Sequence, residues 1–148
     1  MPEQRPTTLA ELKEAGHEVR PVREELRRNL MRKLADGEDL FPGIVGYEDT
    51  VIPQVENAVL AGQDMILLGE RGQAKTRMIR ALTSLLDEWT PVVAGMEIPE
   101  NPFAPISPQA KALVAEQGDA TPVSWLHRDA RYGEKLATPD ITIADLIG

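Results

Sequence analysis

An α/β fold, a parallel sheet flanked by helices, is predicted by three observations. The run Asp64–Leu68 enters a glycine-containing turn, and Arg77–Leu86 then carries Met78, Ile79, Leu82, Leu85 and Leu86 on one face at helical spacing. A second β-type run, Thr90–Ala94, follows that helix, so strand and helix alternate as a parallel sheet requires. Ahead of both, a helix from Asp49 with Val51, Ile52, Val55, Ala58 and Val59 turned inward ends at Gly62 and leads straight into the first strand.

The remaining elements follow in chain order. Thr8, with Glu11 three residues later, is a capping-box pattern that opens a short helix ending near Gly16. After Pro21 a stronger helix runs to about Ala35, with Val22, Leu26, Leu30 and Leu34 at every fourth position. Arg23, Arg27, Arg28, Arg32 and Lys33 surround that stripe, which is expected to dock onto the protein's own core, and Asp36-Gly37 stops the helix. Phe41-Pro42-Gly43 reads as a turn and Ile44–Tyr47 as a short apolar segment. Pro53 is tolerable because it falls near a first helical turn. Two prolines keep Asn101–Ile106 irregular. Ser107 then caps and Pro108 begins a helix to about Gln117, closed by Gly118-Asp119. Val123–Leu126 reads as a short strand and Gly133–Asp140 as loop, and Thr142 with Asp145 starts a last helix.

Composition narrows the function classes. A chain of 148 residues is about one domain and long enough to bury a core. It has no cysteine, which removes disulfides and thiolate metal sites. No apolar run approaches the roughly 18 residues that a membrane span needs, and the N-terminus lacks a secretory apolar core, so a soluble cytoplasmic protein with no membrane partner is expected. A net charge of -8 argues against a nucleic-acid partner, whose affinity comes from neutralised phosphates. The charge is uneven. Residues 1–35 hold 8 Lys+Arg against 6 Asp+Glu, a net +2, and residues 36–148 hold 8 against 18, a net -10.

Chemistry concentrates in Gly69-Glu70-Arg71-Gly72-Gln73-Ala74-Lys75-Thr76. A loop bent over a phosphate chain turns successive backbone N–H groups inward, and the following helix adds roughly half an elementary charge. Lys75 supplies a full charge for the outer phosphates, and the Thr76 hydroxyl is placed to ligate a magnesium ion bridging them. Against the P-loop pattern G-x-x-x-x-G-K-[ST], Gly69, Lys75 and Thr76 match and Ala74 stands at the second glycine. If that position needs positive φ, alanine there costs about 1–2 kcal/mol. The pattern is meaningful with a strand before it and a helix after it.

Other sites are weaker. A hydrolase of this class needs an acid at the end of a second apolar strand, and Asp145 in Ile141–Asp145 is the candidate. Thr142 and Ala144 make a poor buried strand, however, and Pro139-Asp140 suits a helix start better. Glu97 and Glu100 read as solvated loop carboxylates. His17 and His127 each lack a second ligand at i+3 or i+4, so no metal site is expected from them. Arg128 and Arg131 read as surface partners of Asp129, and the aromatic residues as core or loop anchors.

Ile44–Tyr47, the helix after it and Gly69–Thr76 together resemble the opening of an AAA+ ATPase, in the magnesium chelatase I-subunit and MoxR-like branch. Asn101–Ile106 and Tyr132–Asp140 are also similar to stretches of magnesium-chelatase-like proteins. The resemblance divides the chain into a helical N-terminal extension, residues 1–40, and the N-terminal part of an ATPase domain, residues 41–148, with its sheet incomplete. It implies that Gly69 to Thr76 wrap the phosphates of ATP together with the neighbouring Arg77, that Lys75 contacts the β and γ groups, and that Thr76 ligates Mg2+. Val45, Gly46 and Tyr47 would border the adenine. It further implies a homo-oligomeric ring acting on a partner subunit. With no convincing catalytic acid, sensor residue or arginine finger in the sequence, nucleotide binding with little or no turnover is expected. Two other readings are a small-molecule P-loop kinase and a non-catalytic interaction module that docks through the basic helix from Val22 to Leu34.

Overall fold

Local signals account for most of the helices in the structure, a computed structural model that describes residues 4–68, 74–135 and 138–147. Among these the order is α1 (Leu9–Glu14), α2 (Val22–Ala35), α3 (Val51–Ala61), α4 (Lys75–Ala81), β1 (Trp89–Val93), α5 (Pro108–Gln117), β2 (Val123–His127) and α6 (Ile143–Ile147). Thr8 caps α1 by accepting from Glu11 N at 3.3 Å, and the Glu11 carboxylate reaches back to Thr7 N at 2.6 Å. The reciprocal arm of the box therefore lands one residue earlier than the pattern predicts. Pro53 is the third residue of α3, where no intrahelical donor is needed. Gly62 at φ 68° closes that helix in the left-handed region. Ser107 accepts from Ala110 N at 3.1 Å, with Pro108 as the first residue of α5.

α4 begins two residues earlier than its apolar periodicity and tightens into a 3₁₀ turn over Leu82–Leu85. Met78 and Leu85 are buried at 2% and 0% exposure, whereas Ile79 faces outward. With Leu30, Leu40, Phe41, Ile44, Val55 and Val59 they form the main core. α2 lies across α3 and the 3₁₀ turn. Only the middle of its expected stripe is covered: Leu30 is buried and Leu26 packs against the core, but Val22 and Leu34 stay exposed at 52% and 44%. The rest of the covered face is polar, Glu25 and Asn29. Side chains at i and i+4 share a face, so these two ride beside Leu26 and Leu30.

The mixed α/β class holds, but the sheet is not the parallel one predicted. Among the described residues it has two strands, β1 and β2, paired antiparallel from Trp89 with His127 to Val93 with Val123. A helix lies between them, as in a parallel crossover, but strand direction is set by the end at which the chain re-enters. The chain leaves β1 through a turn at Ala94-Gly95 and returns at Pro122, where Ala94 N donates to Pro122 O at 3.0 Å. Exit and re-entry share one end, so the strands must oppose.

The pair is bounded on both sides. Along β2 the N-terminal segment adds a bridge, with Val123 N donating to Thr7 O at 2.8 Å and Leu9 N to Thr121 O at 3.0 Å. On β1 the bonds from Arg128 N to Glu88 O and from Ala94 N to Pro122 O show that the even-numbered residues face β2. Pro91 points its missing donor outward, where no ladder bond is lost, and Val93 N finds Glu100 O at 2.9 Å.

Asp64–Leu68, predicted as the strand ahead of the phosphate loop, carries no ladder among the described residues. Its side chains do alternate: Met65 and Leu67 pack against the core, and Ile66 and Leu68 are 86% and 89% exposed. The period of two is there, but a strand is defined by a hydrogen-bonded neighbour. The preceding helix and the apolar pattern are local properties; the neighbour is not.

Candidate functional site

The start of α4 is the centre of the candidate site. Ala74, the residue before it, sits at φ 58° and ψ 10°, the one positive-φ residue other than glycine among the described residues. A methyl-bearing residue held there carries about 1–2 kcal/mol of local strain. Its carbonyl accepts the first helical bond, from Met78 N at 2.9 Å. No side chain caps this helix and its first turn has no acid, so the surroundings of its opening N–H groups remain favourable to an anion. Lys75 is half-buried, and Thr76 and Arg77 are exposed. Gly69, Glu70, Arg71, Gly72 and Gln73, expected to wrap the phosphates, lie outside the described residues.

The segment expected at the adenine comes to the same place. Ile44 is buried in the core, and both Tyr47 and Ala74 pack against that core. Tyr47 O accepts from Thr50 N and Ile52 N, so the residue that leads into α3 packs on the same core as Ala74. Val45 is 82% exposed. Gly46 N donates to Glu48 Oε2 at 2.9 Å. A Cβ on Gly43 would lie 3.4 Å from Arg77 Nη2, so the turn leading into Ile44–Tyr47 runs against the guanidinium that follows Thr76.

An apolar cleft of about 510 Å³ opens between α2, α3, the extended Asp64–Leu68 and α4. Leu26, Val59, Met65, Leu67, Met78 and Leu82 line it. Arg23 guards its rim by donating to Gly62 O at 2.9 Å and to Asp64 Oδ1 at 3.2 Å.

Asp145 sits at the helix start that the sequence suggests, whereas Glu100 and Arg131 sit elsewhere than the sequence reading put them. Asp145 belongs to the first turn of α6, where its carboxylate accepts from Thr142 N at 2.8 Å and Thr142 Oγ1 accepts from Asp145 N at 3.3 Å. This reciprocal cap, with the Thr142 backbone donor first, holds the Asp145 carboxyl below its ordinary range and uses the side chain locally. Glu100 is not solvated: it is 7% exposed and accepts from Ile106 N at 2.7 Å and Ser107 N at 2.6 Å, as well as from Ser107 Oγ. Those bonds, led by the Ser107 hydroxyl, lower its pKa and pin the proline-rich segment to the start of α5.

Arg131 does not pair with Asp129 on the surface. It forks onto Glu25 of α2, Nη1 to Oε1 at 2.6 Å and Nη2 to Oε2 at 2.7 Å, and also donates to Thr90 Oγ1 at 2.9 Å. Glu25 is 5% exposed and takes a further bond from Asp87 N at 2.8 Å. Asn29, also 5% exposed, donates to Leu85 O at 2.6 Å and Asp87 Oδ1 at 2.9 Å. Arg128 Nη1 reaches Ser84 O at 3.4 Å, and Asp129 lies near His127. The sequence reading missed Glu25, Asn29 and Asp87. A signal was present for the first two, polar residues four apart beside Leu26 and Leu30, but nothing in sequence names Arg131 as their partner.

The aromatic residues act as anchors. Trp125 Nε1 donates to Pro6 O at 2.8 Å, and the Arg5 guanidinium lies 4.3 Å from the Trp89 ring centre. His17 stacks on Phe103 at 6.0 Å between ring centres, and burial depresses its pKa. Among the described residues no cluster of His, Cys, Asp or Glu could hold a metal ion, and no helix is long and apolar enough to cross a membrane. Searches with the sequence and the structure find no matching family model, no matching curated protein and no matching solved structure.

Proposed function

We propose that the chain binds ATP with Mg2+ through Gly69 to Thr76, as the N-terminal portion of a magnesium-chelatase-like AAA+ ATPase that remodels a partner protein. The observation that carries this reading is Ala74. A residue at positive φ immediately ahead of Lys75, at the mouth of α4, is what a glycine-preferring position of the phosphate-loop pattern calls for. Lys75 would meet the outer phosphates, Thr76 the magnesium ion, and Arg77 the phosphate side of the site. Val45, Gly46 and Tyr47, the last of them packed on the same core as Ala74, would border the base. Asp145, the acid considered for activating water, is engaged in a helix cap, so negligible hydrolysis by residues 1–148 is expected. Ring assembly with a partner subunit belongs to the same proposal.

Titrating labelled ATP with magnesium against the chain and its Lys75→Ala variant tests it. The variant should bind at least about tenfold more weakly, 1.4 kcal/mol. Equal binding by both proteins rules out recognition by this loop.

One observation favours a second reading, an interaction module that docks through α2. Met31 is 52% exposed on its outer face, and Arg27, Arg28 and Arg32 make no ion pair among the described residues. Substituting the three arginines by glutamate without effect on any association of the chain would remove it.

A further inference from the structure

We propose that the loop over residues 95–107 of one copy docks into the apolar cleft between α2, α3 and α4 of a second copy, with Ile98 and Ile106 as its anchors. The contact goes beyond the nucleotide reading and stands without it.

The loop displays apolar side chains that its own fold does not cover: Ile98 and Ile106 are 69% and 79% exposed. Its backbone is nevertheless held in place. Glu100 O accepts from Val93 N at 2.9 Å, and the buried Glu100 carboxylate gathers Ile106 N and Ser107 N. Asn101 accepts from Phe103 N at 2.9 Å through Oδ1 and from Ala104 N at 3.1 Å through its carbonyl. Pro102 is fully buried, and Phe103 stacks on His17. A loop ordered in advance loses little conformational entropy when it docks, so most of the gain from covering its isoleucines is kept.

The cleft is the complementary surface. Its volume of about 510 Å³ lies in the range that encloses a small ligand, its walls are apolar, and Val22 and Ile79 line it while staying exposed. The loop's own hydrogen bonds tie it to β1 and to the start of α5, which do not line the cleft; among the described residues none runs to α2, α3 or α4. The pairing is therefore between copies. Charge favours it as well. α2, one wall of the cleft, belongs to the basic head of the chain and the loop to its acidic body. Arg27, beside Leu26 and one turn beyond the rim residue Arg23, makes no ion pair among the described residues, and neither does Glu97, beside Ile98. Opposite charges at such a rim fix orientation more than they add affinity. Because two different patches meet, the contact is head-to-tail: each copy offers one loop and one cleft, and the assembly closes into a ring or extends as an open chain.

The test is sedimentation velocity of the whole chain without nucleotide, over a range of concentrations. The wild-type mass is expected to rise above that of one chain as concentration rises. Ile106→Asp, which spoils the loop, and Val22→Glu, which puts a charge at the cleft, should each weaken association by roughly 10- to 100-fold, the loss of one covered aliphatic side chain. Mixed together, the two variants should form a species of two chains and nothing larger. The intact loop of Val22→Glu fits the intact cleft of Ile106→Asp, while the converse contact is spoiled on both sides. Both positions are exposed, so urea midpoints should match the wild type. If one falls, Ile98→Asp and Ile79→Glu place the same charges on the same two surfaces. A wild-type chain that stays monomeric at every concentration, variants that assemble like the wild type, or a mixture no heavier than its parts overturns the contact. Each of these results leaves the phosphate-loop assignment standing, because the Lys75→Ala titration decides that separately.

Discussion

Replacing Ala74 by glycine, and separately by valine, tests the backbone at the mouth of α4. At φ 58° the alanine methyl costs about 1–2 kcal/mol relative to a residue without Cβ. Glycine removes that strain but restores freedom to the unfolded chain, which costs about 0.4–1 kcal/mol. It also gives up a methyl half-buried against the core, about 0.4 kcal/mol when half of a buried methylene is counted. The balance for Ala74→Gly is a gain of about 0.4 kcal/mol. Valine goes the other way, because a β-branched side chain is a steric outlier at positive φ, and Ala74→Val should lose roughly 2 kcal/mol or more. Urea denaturation of the three proteins reads the order glycine, alanine, valine from most to least stable. In a right-handed helical conformation the order inverts, with glycine about 0.5–1 kcal/mol below alanine and valine close to it. Glycine falling below alanine while valine holds would refute the strained turn and remove the main support for the phosphate loop.

Two further outcomes follow from the buried polar groups. Arg131→Met leaves the Glu25 carboxylate buried with the Asp87 N–H as its remaining partner, and should cost about 3–5 kcal/mol in urea unfolding. Adding Glu25→Leu should recover much of that loss, and a double variant as unstable as the two single losses combined would show that the fork carries no coupling. His17 has a folded pKa below its ordinary 6.5, so the unfolded chain takes up its proton first and stability falls as pH drops through that value, levelling off below the folded pKa. His17→Phe keeps the stack on Phe103 and should flatten the urea midpoint between pH 7.5 and 5.5; an equal fall in both proteins would exclude His17 as its source.

Features written into a few adjacent residues were legible. Pro21, Gly62, Ser107-Pro108 and Gly118 bound their helices close to where the periodicity puts them, and the runs at Thr90 and Val123 became β1 and β2. The Thr142 and Asp145 pair announced a helix start, and it is one. What failed needed partners distant in sequence. The direction of β2 depends on where Pro122 meets Ala94, and the strand at Asp64–Leu68 lacks a described neighbour although its alternation is present. Glu100 and Arg131 look like surface charges because charge alone says nothing about the Ser107 and Glu25 groups that wait for them. At the site, the positive φ of Ala74 was readable as a condition of the pattern, whereas the tie from Arg80 to Glu134 spans a distance no local rule covers.

Pro91 blunts one margin of the two-stranded pair, and the N-terminal segment around Thr8 covers the start of the other. On β1 the outward donor at Pro91 is absent and the one at Val93 is spent on Glu100 O, so that margin of the pair is a poor template for lateral growth.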